Sequence, residues 1–376
     1  MMNIGFDAKR VVQNHTGLGN YGRYIIDILS RFYPDNRYFL FAPKQKTNDR
    51  LKMLHTQANV SFVFPSGTDR ILPTIWRTVG IWKDLLNSKI AIFHGLSNEL
   101  PLGIRYSKVK SVVSIHDLIF LRYPEFYNPV DRRIYRWKFQ YACRNADKII
   151  AISESTKRDI MSFFSVPEEK ITVVYQGCHP CFRQSVPDEK KREIQRKHKL
   201  PRRFLLYVGS IESRKNLLLA VKALTRLPED IHLVAIGKAT PYQAKVETYA
   251  RQSGLASRLH IRNDFPFSDL PAVYQSAVVF LYPSFFEGFG IPIIEALSSG
   301  VPVVATTGSC LEEAGGPNSI YVNPEDDSEL AARILEIAND ESLSNRMIAA
   351  GKEYVKRFDD GQIASEIIRI YETLYS

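Results

Sequence analysis

Short apolar segments alternate with longer amphipathic segments along the chain. In the first half the apolar segments lie at residues 4–8, 38–42, 60–64, 90–94, 112–116, 148–153 and 171–175. The last three are rich in Val or Ile, as strands of a sheet buried on both faces are. Between the first two of these apolar segments, residues 21–32 carry apolar residues at helical spacing. This alternation predicts an α/β fold in which helices cover a parallel sheet.

A second series of the same kind follows. Its predicted strands lie at residues 204–208, 232–236, 259–261, 278–282, 301–305 and 320–322, with the clearest helices at 215–224, 269–276, 293–299 and 328–338. Between the two series, residues 177–204 are rich in Pro and basic residues, which indicates a domain boundary. We predict Rossmann-like, doubly wound domains at residues 1–185 and 186–360, facing each other across a cleft. A last helix, residues 361–376, is expected to pack back on the first domain.

Composition narrows the class of protein. Of the 376 residues, 45% are hydrophobic and 24% are charged, values that exclude disordered and collagen-like chains. Lys and Arg outnumber Asp and Glu by 50 to 40, and this net charge of +10 favours anionic partners such as phosphates, anionic lipid or nucleic acid. No basic and aromatic recognition motif supports nucleic acid, so we expect none as a partner.

Cysteine usage and hydropathy predict the compartment. Four cysteines suit a reducing environment, and Cys178 and Cys181 lack the second pair that a zinc site needs. The first residues turn polar too soon for a signal peptide, and no apolar stretch approaches the ~18 residues of a spanning helix. We expect a cytoplasmic protein. The basic residues 190–203 form either a solvated linker helix or a peripheral contact with an anionic membrane.

Gly17, Gly19 and Gly22 match the G-x-G-x-x-G fingerprint of dinucleotide-binding folds. In that fingerprint the glycines follow their strand at once, whereas here residues 9–16 intervene, and Asp35 precedes the next strand instead of ending it. The motif is therefore either a glycine loop that contacts a phosphate or sugar, or a helix-entry turn. Nicotinamide binding is a weaker alternative.

The stretch from Tyr282 to residue 304 carries the strongest signal. A strand ends near Tyr282, and a glycine-spaced loop leads to Pro292, which suits the first turn of a helix. The free amides at that helix start form an anion site. Glu287 in the loop and Glu295 in the predicted first turn suit the acceptance of hydrogen bonds from sugar and ribose hydroxyls. The alternative is an exposed loop acid and a capping glutamate.

Polar residues also follow other predicted strands. Arg214 and Lys215, after the strand at 204–208, are placed to neutralise a pyrophosphate leaving group, or else they form a solvated helix start. His116 ends another strand and is a candidate contact to a reacting sugar, with Asp117 either orienting it or capping the next turn. Weaker candidates on the acceptor side are His94, Asp117 and Arg122.

Together these segments resemble the family 4 glycosyltransferases, the "group 1" set with the GT-B fold of two Rossmann-like domains. The most specific part is residues 282–304, where Glu287 and Glu295 are similar to the E-x7-E motif of that family. The resemblance implies retaining transfer of a hexosyl group, mannosyl from GDP-mannose as the best choice, to a glycan or lipid-linked acceptor. It implies an acceptor-side first domain and a second domain that binds the nucleotide-sugar donor.

The resemblance also implies roles for single residues. Glu287 contacts the donor sugar, Glu295 the ribose, and His116 the sugar near the reacting centre. The residues expected to bind the rest of the donor are Gly17, Gly19, Gly209, Gly288, Phe289 and Gly290, with Lys215 at the lysine position of the family. Many relatives have an arginine where this chain has Ser210, so the role of Arg214 is left open.

No D-x-D triplet occurs in the sequence, so we expect cations and helix amides, not a divalent metal ion, to stabilise the leaving diphosphate. We also expect no other cofactor. Two other enzyme classes stay open at this point: an epimerase of the same fold that acts on the sugar nucleotide, and a nicotinamide dehydrogenase.

Overall fold

The structure, a computed structural model, describes residues 1–14, 17–46 and 49–375. The chain forms two compact units, one of Met1–Gln176 with Asp359–Ser376 and one of Gly177–Phe358. The division after Gln176 falls earlier than the predicted boundary at 185/186. The reason is local packing, because Cys178 and Phe182 are already buried within the second unit.

The first unit is a parallel sheet with its helices. Its strands are β1 (Asn3–Asp7), β2 (Arg37–Phe41), β3 (Val60–Val63), β4 (Ile92–Gly95), β5 (Lys110–Ile115), β6 (Lys148–Ala151) and β7 (Ile171–Val173). Its helices along this part of the chain are α1 (Lys9–Gln13), α2 (Gly17–Phe32), α3 (Lys52–His55), α4 (Pro73–Ile75), α5 (Trp82–Asn87), α6 (Ile119–Arg122), α7 (Pro129–Asn145) and α8 (Glu154–Phe164).

The strand order in this sheet is β3-β2-β1-β4-β5-β6-β7, and all neighbours are parallel. The order reverses between β1 and β4, which is the doubly wound arrangement. Strand β4 is buried along its whole length and β5 along all but its first residue, which explains why they read as continuous apolar segments.

The second unit repeats this architecture. Its strands are β8 (Phe204–Val208), β9 (His232–Ile236), β10 (Leu259–Arg262), β11 (Val279–Tyr282), β12 (Val303–Thr306) and β13 (Ile320–Val322). Its helices are α9 (Asp188–Lys197), α10 (Leu217–Ala223), α11 (Tyr242–Gln252), α12 (Leu270–Tyr274), α13 (Ile291–Ser298), α14 (Leu311–Gly315), α15 (Asp327–Asn339) and α16 (Glu341–Tyr354). The parallel order is β10-β9-β8-β11-β12-β13, which reverses between β8 and β11.

The last helix, α17 (Asp360–Tyr375), belongs to the first unit. Tyr24 of α2 donates to Asp360 at 3.0 Å, and the Tyr371 hydroxyl lies 2.6 Å from His94 Nδ1. These buried and half-buried polar contacts, with the apolar face of the helix, hold the C-terminal segment against α2 and β4. Within the described ranges, no helix combines the length and the apolar character needed to cross a membrane.

Candidate functional site

The two loops with the strongest sequence signals lie beyond β8 and β11 in the second unit. These neighbouring strands mark the point where the order of the sheet reverses, and open parallel sheets bind ligands beyond the carboxyl ends of strands at such a point. Gly209 directly follows β8, and a Cβ at Gly237 would lie 1.7 Å from the Gly209 carbonyl oxygen. Only glycine therefore fits at position 237, which the sequence analysis did not single out.

Backbone contacts hold the two loops together. Arg214 and Lys215 lie in a 3₁₀ turn, Ser213–Lys215, which precedes α10. The Phe285 N–H donates to the Arg214 carbonyl oxygen at 2.9 Å, and the Arg214 guanidinium donates to the Phe286 carbonyl oxygen. The turn with the two cations is thus fastened to the loop after β11.

Glu287 is the centre of a buried ion cluster. Its Oε1 lies 2.8 Å from Lys215 Nζ, and its Oε2 lies 2.9 Å from a guanidinium nitrogen of Arg214. Oε1 also accepts hydrogen bonds from Ser284 Oγ at 2.9 Å and from the Tyr282 hydroxyl at 3.2 Å. Lys215 Nζ donates to the Tyr282 oxygen at 3.0 Å. The structure therefore brings together three of the four predicted catalytic residues.

The charges of this cluster are strongly coupled. Burial by itself would raise the pKa of Glu287, but the Lys215 ammonium and the Arg214 guanidinium outweigh it and lower that pKa to about 2. Burial lowers the pKa of Arg214, and Glu287 more than reverses this, so the guanidinium stays charged. The half-exposed Glu212 also pairs with Arg214, at 2.8 Å. At neutral pH the two cations are thus paired with two carboxylates, of which Glu287 is buried and Glu212 is half-exposed.

Hydrogen bonds from Cys310 hold the glycine-rich loop after Glu287 in place. Gly290 has a φ of 130°, a region that favours glycine. Phe289 is buried, and Gly288 before it is half-buried. Cys310 Sγ donates to the carbonyl oxygens of Glu287 and Phe289, each at 3.0 Å. These contacts set the path of the backbone into α13.

Glu295 lies in the second turn of α13, not in the first turn as predicted, because the helix begins at Ile291. The Tyr274 hydroxyl donates to its Oε2 at 2.8 Å. Burial raises the pKa of Glu295 to about 7, and the hydrogen bond from Tyr274 offsets only part of this. Its carboxyl group therefore titrates near neutral pH.

This shift predicts how stability depends on pH. Since the folded protein binds the Glu295 proton more tightly than the unfolded chain, stability is lost as pH rises from about 4.5 to about 7. Glu295→Gln removes this loss while an oxygen still accepts from Tyr274. We expect the variant to gain roughly 2 kcal/mol more relative to wild type at pH 8 than at pH 5. Thermal unfolding of both proteins at the two pH values measures this, and an equal difference at both would contradict the shift.

In the first unit, Gly17, Gly19 and Gly22 form the first turns of α2. A Cβ at Gly19 would lie 2.1 Å from the Asn14 carbonyl oxygen, and one at Gly22 would lie 2.6 Å from Val11 Cγ2. Gly19 and Gly22 are thus required by the close packing of α1 against α2. The predicted contact of Gly17 and Gly19 with a phosphate or sugar stays a prediction. The intervening His15 and Thr16 lie outside the described residues.

His116 is buried at the end of β5. Its Nε2 lies 2.9 Å from the Leu96 carbonyl oxygen, its backbone N–H donates to Asn98 Oδ1 at 2.8 Å, and the Tyr21 ring packs against it edge-on at 4.5 Å. Burial lowers the pKa of His116 to about 4, although the Leu96 carbonyl opposes this. The imidazole is therefore neutral at pH 7, with Nε2 as donor and Nδ1 as acceptor.

The contacts of His94 differ from those of His116, because both of its ring nitrogens are bonded to side chains. Its ring is fully buried, with Nδ1 bonded to Tyr371 and Nε2 lying 2.8 Å from Ser114 Oγ. Burial and the nearby His116 lower its pKa to about 3. Both ring nitrogens are thus bonded within the first unit, and the contact of His94 with an acceptor stays a prediction.

Asp117 and Arg122 follow His116 along the chain. Asp117 Oδ1 accepts from the N–H of Ile119, the first residue of α6, at 3.1 Å. Arg122 pairs with the buried Asp159 of α8. Their contact with an acceptor stays a prediction.

Several residues around the site were not predicted. Tyr282, Ser284 and Cys310 contact Glu287, and Tyr274 contacts Glu295. Tyr282 and Ser284 are near Glu287 in sequence, and their hydroxyls at a strand end were a usable signal. Cys310 and Tyr274 come from distant elements without a local motif. Over residues 1–14, 17–46 and 49–375, no group of three His, Cys, Asp or Glu side chains is placed to hold a metal ion.

Models of known protein families match both units of the chain. The family model described as "Glycosyl transferases group 1" matches residues 188–354, and the model "Glycosyltransferase Family 4" matches residues 17–180. Among curated proteins, the chain is 28% identical over 299 residues to O-antigen chain mannosyltransferase B of Escherichia coli, covering 77% of this chain and 76% of the relative. It is 25% identical to O-antigen chain mannosyltransferase RfbU of Salmonella typhimurium, covering 78% of each chain. The comparisons lend no support to an epimerase.

Solved structures show the same fold. Anabaena HepE, in a crystal structure with UDP and glucose, matches with a TM-score of 0.78 and 19% identity over 99% of this chain and all of that chain. WaaG, a glycosyltransferase of lipopolysaccharide biosynthesis, matches with a TM-score of 0.72 and 15% identity over 98% of this chain and 99% of its own. Since these neighbours share the pair of parallel sheets and the family models cover both of them, the chain has the GT-B fold and belongs to the group 1, family 4 glycosyltransferases.

Proposed function

We propose that this glycosyltransferase moves a hexosyl group, mannosyl in the first instance, from a nucleotide-diphosphate sugar to a glycan or lipid-linked saccharide, with retention of anomeric configuration. The names of the Escherichia coli and Salmonella relatives support mannosyl transfer, and hence GDP-mannose as the donor. The name of a relative from Mycolicibacterium hassiacum, an α-(1→4)-mannosyltransferase that is 26% identical over 61% of this chain, supports the same sugar.

The observation that carries the proposal is the convergence of Arg214 and Lys215 on the buried Glu287, beyond β8 and β11. A diphosphate carries more negative charge than one carboxylate and competes for the same two cations. With a donor bound, the cations stabilise the charge that develops on the leaving diphosphate. Glu287 is then released to accept hydrogen bonds from hydroxyls of the donor sugar.

The start of α13 extends this site. The backbone amides from Gly288 to Gly290 and the positive end of the helix dipole supply further stabilisation for phosphate oxygens. In its ionised form, Glu295 has the two oxygens needed to accept from the two ribose hydroxyls. The pKa of about 7 means that donor binding and ionisation of Glu295 are coupled near neutral pH.

A front-face reaction fits the residues assigned to the donor. The acceptor hydroxyl attacks the anomeric carbon from the side on which the diphosphate leaves, the bond from that carbon to the phosphate oxygen breaks, and the hydroxyl proton passes to a phosphate oxygen. Glu287 is held by two cations, which makes it a weak nucleophile. The neutral His116, with Nδ1 as acceptor, suits a hydrogen bond from a sugar hydroxyl and not proton donation.

We predict that transfer needs no divalent metal. Arg214, Lys215 and the amides before α13 provide the positive charge that a metal ion would otherwise provide, and the chain has no D-x-D triplet. Pre-incubation with a chelator is expected to leave kcat within a factor of about two of the untreated enzyme. Loss of turnover that magnesium or manganese restores would show that the cations do not suffice.

The donor and the reaction are tested together. A thermal-shift panel of GDP-, UDP- and ADP-sugars identifies the donor, because ligand binding raises the unfolding temperature. Transfer predicts that nucleoside diphosphate is released only when a saccharide acceptor is present, and that NMR of the product shows the anomeric configuration of the donor. Release without an acceptor, an inverted product or a trapped glycosyl-enzyme would each overturn part of the proposal.

A further inference from the structure

The first unit carries an unusual concentration of exposed apolar side chains. On α7, Val130, Ile134 and Trp137 lie on one helical face and are 63%, 45% and 56% exposed. Ile71, Ile75 and Val79, in the segment that includes α4, are 76%, 53% and 46% exposed. We call these six residues the apolar surface. Soluble chains usually expose apolar residues singly, so a concentration of this kind indicates an interaction site.

The two halves of the apolar surface are neighbours. Arg77, within residues 71–79, pairs with Glu99 at 2.7 Å, and Glu99 pairs with Lys138 of α7 at 3.2 Å. Thr78, also within residues 71–79, and Tyr141 of α7 line one small cavity with these three residues. These ion pairs hold α7 and residues 71–79 together within the first unit.

Positive charge flanks the α7 half of the apolar surface. Helix α7 has five basic residues and one acid, Asp131. Arg133 and Arg136 are exposed, and both are next in sequence to residues of the apolar face. An apolar face with an aromatic residue and flanking arginines is typical of segments that lie in the interface of an anionic bilayer.

A second copy of the chain is a less favourable partner for the apolar surface than an anionic membrane is. A two-fold contact would bring the same patch of each copy together, and so place the arginines of one α7 near those of the other. Like charges across an interface oppose association. The surface of an anionic membrane, in contrast, offers both an apolar layer and opposite charge.

The basic segment 190–203 fits a membrane less well. Lys190, Lys191 and Lys197 are paired with carboxylates at 2.8, 2.6 and 2.7 Å. Ile194, the apolar residue in the middle of α9, is buried. Among the described residues, this segment has no exposed large apolar side chain to insert.

We propose that the apolar surface, with Arg133 and Arg136, docks this protein on the headgroup region of an anionic lipid bilayer. The binding needs no sugar nucleotide and no acceptor, so it is tested independently of transfer. A protein held there would meet a lipid-linked acceptor on the membrane, which connects the surface with the proposed function without depending on it.

The test uses the full chain with vesicles of phosphatidylglycerol and phosphatidylcholine, or of phosphatidylcholine alone, at low and high salt. We expect co-sedimentation with the anionic vesicles at low salt, and a blue shift of the tryptophan fluorescence. Trp137 is the exposed one of the three tryptophans, since Trp76 is buried and Trp82 half-buried. Arg133→Gln/Arg136→Gln is expected to weaken partitioning at least ~10-fold.

Two further variants make the result specific. Ile134→Ser/Trp137→Ser is expected to lose the blue shift and at least ~10-fold in partitioning. The matched control, Arg192→Gln/Arg196→Gln, removes two exposed arginines from α9 and is expected to bind like wild type. Circular dichroism and thermal unfolding establish that each variant is folded.

Three results would overturn the proposal. One is the absence of binding to anionic vesicles by the wild-type protein. Another is an equal loss of binding in the α9 control, which would move the contact to that helix. The third is a stable dimer in analytical ultracentrifugation that Ile134→Ser/Trp137→Ser dissociates, which would assign the apolar surface to a second copy of the chain.

Discussion

Replacing Lys215 with alanine is expected to lower kcat for transfer at least ~100-fold, the usual scale for loss of one preorganised charge stabiliser. The ammonium lies 2.8 Å from Glu287 and is one of the two cations available to the leaving diphosphate. Glu287 keeps its ion pair with Arg214 in this variant, so the fold survives. Steady-state kinetics with the donor that the thermal-shift panel identifies measures the effect.

The matched control for this variant is Lys222→Ala. Lys222 lies in α10, the helix that follows the 3₁₀ turn with Arg214 and Lys215, and it is not one of the residues assigned to the site. We expect it to leave kcat within about twofold of wild type, since Lys222 lies outside the turn and the loop that form the ion cluster. Equal kcat values for Lys215→Ala and wild type would remove Lys215 from the reaction.

Glu287→Gln is expected to abolish most transfer and to destabilise the second unit, yet to preserve binding of nucleoside diphosphate. Two buried cations then face a neutral amide, and removal of one partner from a buried ion cluster costs about 3 kcal/mol. For a unit of this size the unfolding temperature falls by roughly 2–4 °C per kcal/mol. The excess positive charge attracts the diphosphate at least as strongly as in wild type, while the hydroxyls of the donor sugar donate to a neutral amide oxygen instead of a carboxylate and so bind more weakly.

Calorimetric titration and thermal unfolding separate these effects. Added nucleoside diphosphate is expected to raise the unfolding temperature of Glu287→Gln more than that of wild type. The low pKa of Glu287 stabilises wild type above pH 4.5, and this stability is lost as pH falls toward 2, whereas the variant lacks that loss. An unfolding temperature equal to that of wild type, or loss of diphosphate binding, would contradict the proposed role of the ion cluster.

The central strands of both sheets were predictable because they are buried on both faces. Segments such as residues 112–116 and 278–282 read as apolar runs for that reason, and they correspond to β5 and β11. The loop after β11 was predictable from Glu287, Pro292 and the glycines between them. Glu287, Pro292 and the glycines form a local sequence motif, because the shape of the loop depends on residues that are close in the sequence.

Features that depend on distant contacts were not predictable. The glycines from Gly17 to Gly22 match a phosphate-binding motif, but Gly19 and Gly22 are explained by the packing of α1 against α2. The pKa of Glu295 near 7 arises from burial, which the hydrogen bond from Tyr274 of another helix offsets only in part. The pairing of both cations with Glu287 likewise joins loops more than 70 residues apart.

Coupling between Lys215 and the β-phosphate of the nucleotide tests the central claim most directly. The measurement is calorimetric titration of the nucleoside diphosphate and the corresponding monophosphate into wild type and Lys215→Ala. We expect loss of the β-phosphate to weaken binding to wild type at least ~10-fold, but to weaken binding to the variant far less. The same ratio in both proteins would show that the diphosphate does not contact Lys215, and the assignment of the donor site to this ion cluster would be wrong.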